Sequence, residues 1–291
     1  MFKAIDNDFL VPFDNSFSIA HSLTKIEDLS YGKKAYQKNL SQLNDRIDDD
    51  QKMLHAQDEY AVLLVFQAMD AAGKDSTIRA VTRGINPAGC QVFSFKQPSK
   101  EELDHDFLWR TAKRMPERGR IGVFNRSYYE EVLVVRVHPE YLRYQRLPNR
   151  VEDSELWCQR YESIRQHEHH LARNGTVIIK FWLNVSKAEQ KQRFLARIDT
   201  PEKNWKFSSS DIEERQHWDD YMAAYEAALN ETSRPWAPWY AIPADDKRVM
   251  RIKVAEIIAE TLESLDLKYP SLDTKQAEKL QQIRKNLVAN K

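Results

Sequence analysis

The chain has 291 residues, of which 44 are basic and 44 acidic, so its formal net charge is zero. Proteins dedicated to nucleic acid are usually strongly basic, and this balance argues against that class. Apolar residues make up 42% of the chain, as in a folded protein and unlike a disordered one. The longest apolar run, Tyr60–Phe66, is far shorter than the roughly 20 residues of a membrane helix. Because the N-terminus also carries charge at once and has no apolar signal core, we expect a cytoplasmic protein.

The N-terminal part predicts an arm followed by a helix. Residues 1–31 contain breakers such as Pro12 and Asn15 and predict irregular structure. From Lys33 to Ala56, apolar residues recur at helical spacing. We therefore expect residues 1–58 to form an arm and a helix that pack on the core.

Five short apolar segments predict the strands of a sheet: Tyr60–Phe66, Gln91–Phe95, Arg120–Phe124, Thr176–Leu183 and Trp239–Ile242. Helical segments separate or follow them at about 74–86, 100–115, 127–137, 152–174, 186–197, 211–230 and 246–265. Strands that alternate with such helices imply right-handed crossovers and a parallel sheet. The prediction is a three-layer α/β sandwich over residues 59–268 with a central five-stranded parallel sheet, followed by a helical tail over 269–291.

The stretch FQAMDAAGKDST (66–77) follows the most apolar strand and opens a helix, which is the context of a phosphate-binding loop. The small residues Ala71, Ala72 and Gly73 let backbone N–H groups approach an anion. Lys74 and the helix N-terminus add positive charge. Asp75 and Ser76, at the start of the helix, belong to the same predicted phosphate- and nucleotide-binding set.

Two positions depart from the pattern G-x-x-x-x-G-K-S/T. Ala68 replaces the first glycine, which the backbone accommodates if φ there is negative. Asp75 replaces the hydroxyl that normally holds Mg²⁺. The alternative interpretation of the stretch is a glycine-containing turn between a strand and a helix.

Asp70 lies inside this loop, where a carboxylate would repel phosphate unless a metal ion bridged the two. Mg²⁺ prefers a few carboxylates together with phosphate oxygens. We therefore predict Mg²⁺ as the cofactor, with Mn²⁺ as a possible substitute, and Asp70 as its ligand. Asn125 is a further candidate ligand, although its neutral amide binds a metal ion more weakly.

The stretch RIGVFNRSYYEE (120–131) is a second strand that runs into a polar turn. Ligands of parallel α/β sheets bind at the carboxyl ends of the strands, so Asn125, Arg126 and Glu130 should face the same crevice as Lys74. Arg126 would neutralise a phosphoryl group in transfer. Its alternative role is a surface ion pair with Glu130.

Two further basic residues are expected to meet phosphate or nucleotide. Lys96 lies at a strand end, and Arg110 lies on the helix that follows. The aromatic residues Phe107 and Trp109 would stack on a base, although their helical spacing also fits a core role.

A basic helix end precedes a segment that predicts a lid over about 197–215. Arg193 and Arg197 are four residues apart and share a helix face. The loop that follows contains Pro201 and the cations Lys203 and Lys206. A capping-box pattern then restarts a helix. Such a lid closes over phosphate and excludes water; the alternative is a solvated, charged connection.

At these motifs the sequence resembles the polyphosphate kinase 2 family. The resemblance covers about residues 54–262, and its motifs are QAMDAAGKDST (67–77), INPAGCQVFSFKQPS (85–99), HDFLWR (105–110), GVFNRSYYEEVLVVRVHP (122–139), DTPEKNWKFSSSDIEER (199–215) and APWYAIPADDKR (237–248). FNRSYYE, with Asn125 and Glu130, looks like the class III branch. The departure from the family's pattern is Ala68, at the place of its usual glycine.

The resemblance implies a P-loop kinase fold and transfer of phosphate from inorganic polyphosphate to nucleoside mono- and diphosphates with Mg²⁺. It implies that Asp70 binds metal, that Glu130 positions metal or acceptor, and that the phosphate is bound by Lys74, Arg126, Arg193, Arg197, Lys203 and Lys206. We also expect a homo-oligomer, a dimer or tetramer. The rival hypotheses are an ATP-dependent nucleoside monophosphate kinase and a non-catalytic module that binds polyphosphate or RNA.

Overall fold

The computed structural model describes residues 1–148, 151–206 and 208–289 of the chain. Within these ranges it does not describe the side chains of Lys203, Lys206 and Ser209. The predicted lid cations Lys203 and Lys206 therefore have a described backbone, in a 3₁₀ turn over Pro201–Lys206, while their side-chain roles stay predictions.

The five predicted strands are present: β1 (Ala61–Gln67), β2 (Cys90–Ser94), β3 (Ile121–Asn125), β4 (Thr176–Asn184) and β5 (Trp239–Pro243). They form one parallel sheet in the order β2-β3-β1-β4-β5. Every residue of β1 is buried, because this central strand is covered on both faces, and its continuous apolar run follows from that position. The predicted α/β sandwich with a five-stranded parallel sheet is confirmed.

The α-helices are α1 (Lys33–Gln57), α2 (Lys74–Val81), α3 (Lys100–Leu103), α4 (Trp109–Ala112), α5 (Val134–Val137), α6 (Asp153–Arg173), α7 (Lys187–Ile198), α8 (Ser209–Glu214), α9 (Trp218–Thr232), α10 (Lys247–Glu263) and α11 (Thr274–Ala289). Helices α1, α2 and α10 pack together, and α10 also contacts β5. Helix α6 packs on β4 and on α9.

Four predicted helices differ in extent from those observed. The helix expected over 74–86 ends at Val81, and Gly84 beyond it has φ 99°, a left-handed conformation that stops a helix. The helix expected over 100–115 is two single turns, α3 and α4, and between them the Asp106 side chain accepts a hydrogen bond from the Leu108 N–H, a local bond that competes with a continuous helix. The segment 127–137 begins with a 3₁₀ turn before α5. The helix expected over 211–230 is interrupted by a 3₁₀ turn at Arg215–His217.

The N-terminal arm covers one edge of the sheet. The Val11 N–H donates to the Trp239 carbonyl over 2.9 Å, and the Ala241 N–H donates to the Phe9 carbonyl over 2.8 Å. The arm thus pairs in antiparallel fashion with β5 and satisfies an edge that would otherwise expose unpaired backbone groups.

The tail helix α11 has no buried side chain, so it does not pack into the core. Among the described residues, we find no helix with both the length and the apolarity that a membrane crossing requires.

Candidate active site

The phosphate loop connects the end of β1 to the start of α2. Gly73 caps α2 with φ 104°, and Ala71 also has a positive φ, 61°. Ala68 is not among the residues with positive φ, so its methyl group fits the backbone where the motif normally has glycine. The loop therefore turns sharply at Ala71 and Gly73, and the first N–H groups of α2, which have no partner within the helix, follow that turn.

Lys74, the first residue of α2, is buried with 9% of its surface exposed. Its ammonium has no hydrogen-bonding or ion-pairing partner within the described part of the chain. Burial, and then the Arg126 guanidinium, lower the pKa of Lys74, while nearby carboxylates, Asp70 first among them, oppose the shift. An anion that binds next to such a desolvated ammonium strongly stabilises its charged form.

Arg126 lies between two carboxylates at the same edge of the sheet. Its Nη2 is 2.9 Å from Asp70 Oδ1, and its Nη1 is 3.3 Å from Glu130 Oε2. The Glu130 and Asp70 carboxylates raise the pKa of Arg126 above its ordinary value, against the effect of burial. The ion pair with Glu130 is thus present, together with a second one to the phosphate loop. Phosphate would compete with both carboxylates for the guanidinium.

Asn125, at the end of β3, contacts the first turn of α2. Its Nδ2 donates to Asp75 Oδ1 over 2.8 Å and to Ser94 Oγ over 3.3 Å. Ser76 contacts its own loop by donating to the Gly73 carbonyl over 2.8 Å. Asn125 and Asp75 are therefore neighbours, which the sequence did not predict.

Arg193 of α7 is buried against the phosphate loop. Its Nη1 donates to the Ala72 carbonyl over 2.5 Å, its Nη2 to the Ala244 carbonyl over 2.6 Å, and its Nε to Glu189 over 2.7 Å. Only 6% of its surface is exposed. These contacts tie Arg193 to the phosphate loop and to the loop after β5, and its predicted role in binding polyphosphate stays a prediction.

Arg197, one turn later, begins the segment that is predicted to be a lid. Its Nη1 lies 3.4 Å from Asp211 Oδ2, so the end of α7 is tied to α8. Burial and the Asp70 carboxylate raise the pKa of Asp211, while Arg197 opposes them. The Asp211 carboxylate is therefore close enough to the phosphate loop to interact with Asp70.

A cavity of about 520 Å³ opens beside the phosphate loop. Its lining includes the charged residues Asp70, Arg126 and Glu130. It also includes apolar and aromatic residues: Phe107, Leu133, Val134, Val135, Tyr141 and Tyr144. A lining that combines charged and apolar groups suits a phosphorylated ligand with a flat organic part.

Lys96 and Arg110 line the same cavity. Arg110 donates from Nη2 to the Lys96 carbonyl over 2.8 Å and lies over the Phe95 ring. Of the two aromatics considered for base stacking, Phe107 lines the cavity. Trp109 instead stacks on His105, with 3.8 Å between ring centroids.

Sequence reasoning missed several cavity residues. Tyr221 and Tyr225 of α9 line it, as does Glu214 of α8. The Tyr221 hydroxyl donates to Glu214 over 2.6 Å, and His138 is 2.9 Å from the same carboxylate. Tyrosines four residues apart share a helix face, and that spacing was the available signal.

A parallel sheet with this strand order, a phosphate loop after its central strand and an arginine held by carboxylates beside it define a phosphotransferase of the P-loop kinase class. The comparisons with known proteins narrow this class. The family model for polyphosphate kinase 2 matches residues 30–270. The chain belongs to the polyphosphate kinase 2 family.

Its relatives include an ADP-polyphosphate phosphotransferase of Rhodopseudomonas palustris, 57% identical over 91% of this chain and 92% of the relative. An AMP/ADP-polyphosphate phosphotransferase of Meiothermus ruber is 46% identical over 84% of this chain and 87% of the relative. Among solved structures, polyphosphate kinase 2 from Arthrobacter aurescens TC1 superposes with a TM-score of 0.84 at 35% identity, over 97% of this chain and 99% of that one.

Proposed function

We propose that the protein phosphorylates nucleoside mono- and diphosphates, taking AMP to ADP and ADP to ATP, with inorganic polyphosphate as the donor. The observation that carries this proposal is the position of Arg126 between Asp70 and Glu130, beside the phosphate loop and on a cavity wide enough for a nucleotide. One relative is named for ADP alone and another for AMP and ADP, which supports both acceptor classes.

The proposed mechanism is in-line phosphoryl transfer by positioning and charge neutralisation. Lys74 and the N–H groups after Gly73 bind phosphate at the start of α2. Arg126 leaves its carboxylate partners and neutralises the oxygens of the phosphoryl group in transfer. Lys96 and Arg110 hold the acceptor phosphates where they line the cavity.

The residues present fit Mg²⁺, which is bound by one or two carboxylates and several phosphate oxygens rather than by an all-protein cage. Among the described residues, no three His, Cys, Asp or Glu side chains come close enough to hold a metal ion by themselves. Asp70 would be its main ligand, with Glu130 and the Asn125–Asp75 pair nearby. When bound, the ion neutralises phosphate charge; Mn²⁺ prefers similar oxygen ligands.

The test is turnover by purified protein with Mg²⁺ and polyphosphate as the sole donor, with AMP or ADP as acceptor. Formation of ADP and ATP is expected. Turnover only when ATP is the donor would identify an ATP-dependent nucleoside monophosphate kinase instead. Tight polyphosphate binding without turnover would identify a binding module.

The proposal includes self-association and a cytoplasmic location. The tail helix α11 buries none of its side chains, which leaves Leu280, Ile283 and Leu287 available to a second subunit in a dimer or tetramer. Sedimentation of the full chain tests this. Both cysteines, Cys90 and Cys158, are free thiols, as expected in a reducing compartment.

A further inference from the structure

A lysine lies at the centre of the most apolar part of the sheet. Lys180 is in the middle of β4 with 0% of its surface exposed. Its Nζ donates to Glu168 Oε2 over 2.6 Å, to the Tyr129 hydroxyl over 2.9 Å and to the Thr232 carbonyl over 2.9 Å. All three donors of the ammonium are therefore used.

Its carboxylate partner gathers two neighbouring tyrosines. Glu168, on α6, is also fully buried. Its Oε1 accepts hydrogen bonds from the hydroxyls of Tyr128 and Tyr129, each over 2.8 Å. Two consecutive residues of one turn thus reach a single carboxylate oxygen, which restricts the turn to one backbone orientation.

A contribution to stability alone does not explain why a buried ion pair is present here. Taking two charges out of water costs several kcal/mol per ion, and apolar replacements are often equally stable. Burial lowers the pKa of Lys180 to about 8, against the opposing effect of Glu168. What the pair provides is a fixed orientation for the side chains that it binds.

The turn that the pair restrains carries two residues of the candidate active site. Arg126 and Glu130 flank Tyr128 and Tyr129 in the chain. Arg126 has φ 64°, a left-handed conformation that the surrounding structure must enforce. The Ser127 hydroxyl ties the same turn to β1 by accepting from Gln67 Nε2 over 3.3 Å.

We propose that the Lys180–Glu168 pair is a positioning element that acts through the hydroxyls of Tyr128 and Tyr129 to hold Arg126 and Glu130 in place for phosphoryl transfer. This inference rests on the proposed function. Neither Lys180 nor Glu168 lines the cavity, so we expect their effect to fall on kcat, because Arg126 is needed most in the transition state.

The first test is the double variant Tyr128→Phe/Tyr129→Phe, with Tyr240→Phe as the matched control. The Tyr240 hydroxyl is also hydrogen-bonded, to Ile5 on the N-terminal arm, far along the chain from the turn. We expect kcat of the double variant to fall at least about tenfold, with KM for both substrates within about twofold of wild type. The control should lose melting temperature but keep kcat.

The second test separates the acceptor oxygen from the charges. In Lys180→Met/Glu168→Gln the amide oxygen still accepts from both tyrosines. In Lys180→Met/Glu168→Leu the Tyr128 hydroxyl loses its acceptor, and Tyr129 keeps only Thr232 Oγ1, at 2.9 Å. We expect the glutamine variant to retain kcat within about threefold of wild type and the leucine variant to lose about tenfold or more.

Equal kcat in the glutamine and leucine variants would overturn the inference, and so would losses of kcat that merely follow melting temperature across all variants and the control. If the double phenylalanine variant does not fold, the kcat values of the glutamine and leucine variants at position 168 still test the inference. Absence of turnover in the wild-type chain would instead reject the proposed function.

Discussion

Asn125 at the end of β3 donates a hydrogen bond to Asp75 on α2, with 2.8 Å between Nδ2 and Oδ1. The bond joins the helix after the phosphate loop to the neighbouring strand end. A neutral amide can approach a carboxylate in this way without a metal ion, whereas a second carboxylate at this distance would repel the first.

Replacing this amide by a carboxylate should make stability depend on a divalent ion. We expect Asn125→Asp to lower the free energy of unfolding by about 1–2 kcal/mol in EDTA, through like-charge repulsion and loss of the hydrogen bond. Mg²⁺ should restore most of the loss by binding between the two carboxylates. Thermal denaturation with EDTA and with Mg²⁺ measures this. Asn125→Ala is the control, and an equal Mg²⁺ response in both variants would contradict the prediction.

Replacing Arg193 by lysine should destabilise the protein. Its guanidinium joins the carbonyls of Ala72 and Ala244, and a single ammonium cannot reproduce that planar fork. We expect Arg193→Lys to lower the free energy of unfolding by about 3 kcal/mol, because it leaves buried groups unpaired, and to raise KM for polyphosphate. Denaturant unfolding and steady-state kinetics measure the two effects.

The control for this change is Arg197→Lys, one turn along the same helix. Arg197 pairs with Asp211 over 3.4 Å near the surface, so its replacement should cost less than about 1 kcal/mol. Equal losses in the two variants would contradict a supporting role for Arg193.

The sequence predicted the sheet and the residues that meet at its edge because both depend on local patterns. Each strand is a short apolar run, and Asp70, Lys74 and Arg126 directly follow such runs. In a parallel sheet, residues that follow neighbouring strands are close in space whatever the helices between them do.

The depth of a side chain and its distant partners were not predictable in this way. Arg193 and Arg197 share a helix face by spacing, yet one is buried against carbonyls of two loops and the other is at the lid. Lys180 stands within the apolar run TVIIKFWL, but nothing local identifies Glu168 as its partner. Such pairs arise from tertiary packing, which spacing along the chain does not encode.

Asp70→Asn should leave the fold intact and lower turnover at least about a hundredfold, roughly 2.7 kcal/mol in the activation barrier. The amide keeps the size of the side chain. It removes the negative charge that pairs with Arg126 over 2.9 Å in the wild-type protein, and it lowers the affinity for Mg²⁺. Steady-state turnover with saturating polyphosphate measures the loss, and an unchanged melting temperature serves as the control. Wild-type turnover in this variant would remove Asp70 from the mechanism.

Asp50 provides a pH-dependent test of the packing between α1 and α10. It is buried, with 9% of its surface exposed, and its Oδ2 has no hydrogen-bond partner among the described residues. Burial, and then the Glu263 carboxylate, raise the pKa of Asp50 to about 6, against the effect of Arg46. The folded protein therefore holds this proton more tightly than the unfolded chain, whose aspartate has a pKa near 3.9. Between these two values, this group makes stability fall as pH rises.

Asp50→Asn removes the ionised form and should stabilise the protein only where wild type is ionised. We expect a gain of about 1 kcal/mol above pH 7, because solvent partly screens the ionised carboxylate, and almost none near pH 4. Urea denaturation at the two pH values measures the difference. Asp49→Asn, at an exposed neighbour on the same helix, is the control and should show a much smaller change with pH, because its charge contributes less to the raised pKa of Asp50 than burial does. If Asp50→Asn gave the same gain at both pH values, the burial of its charge would not be the cause.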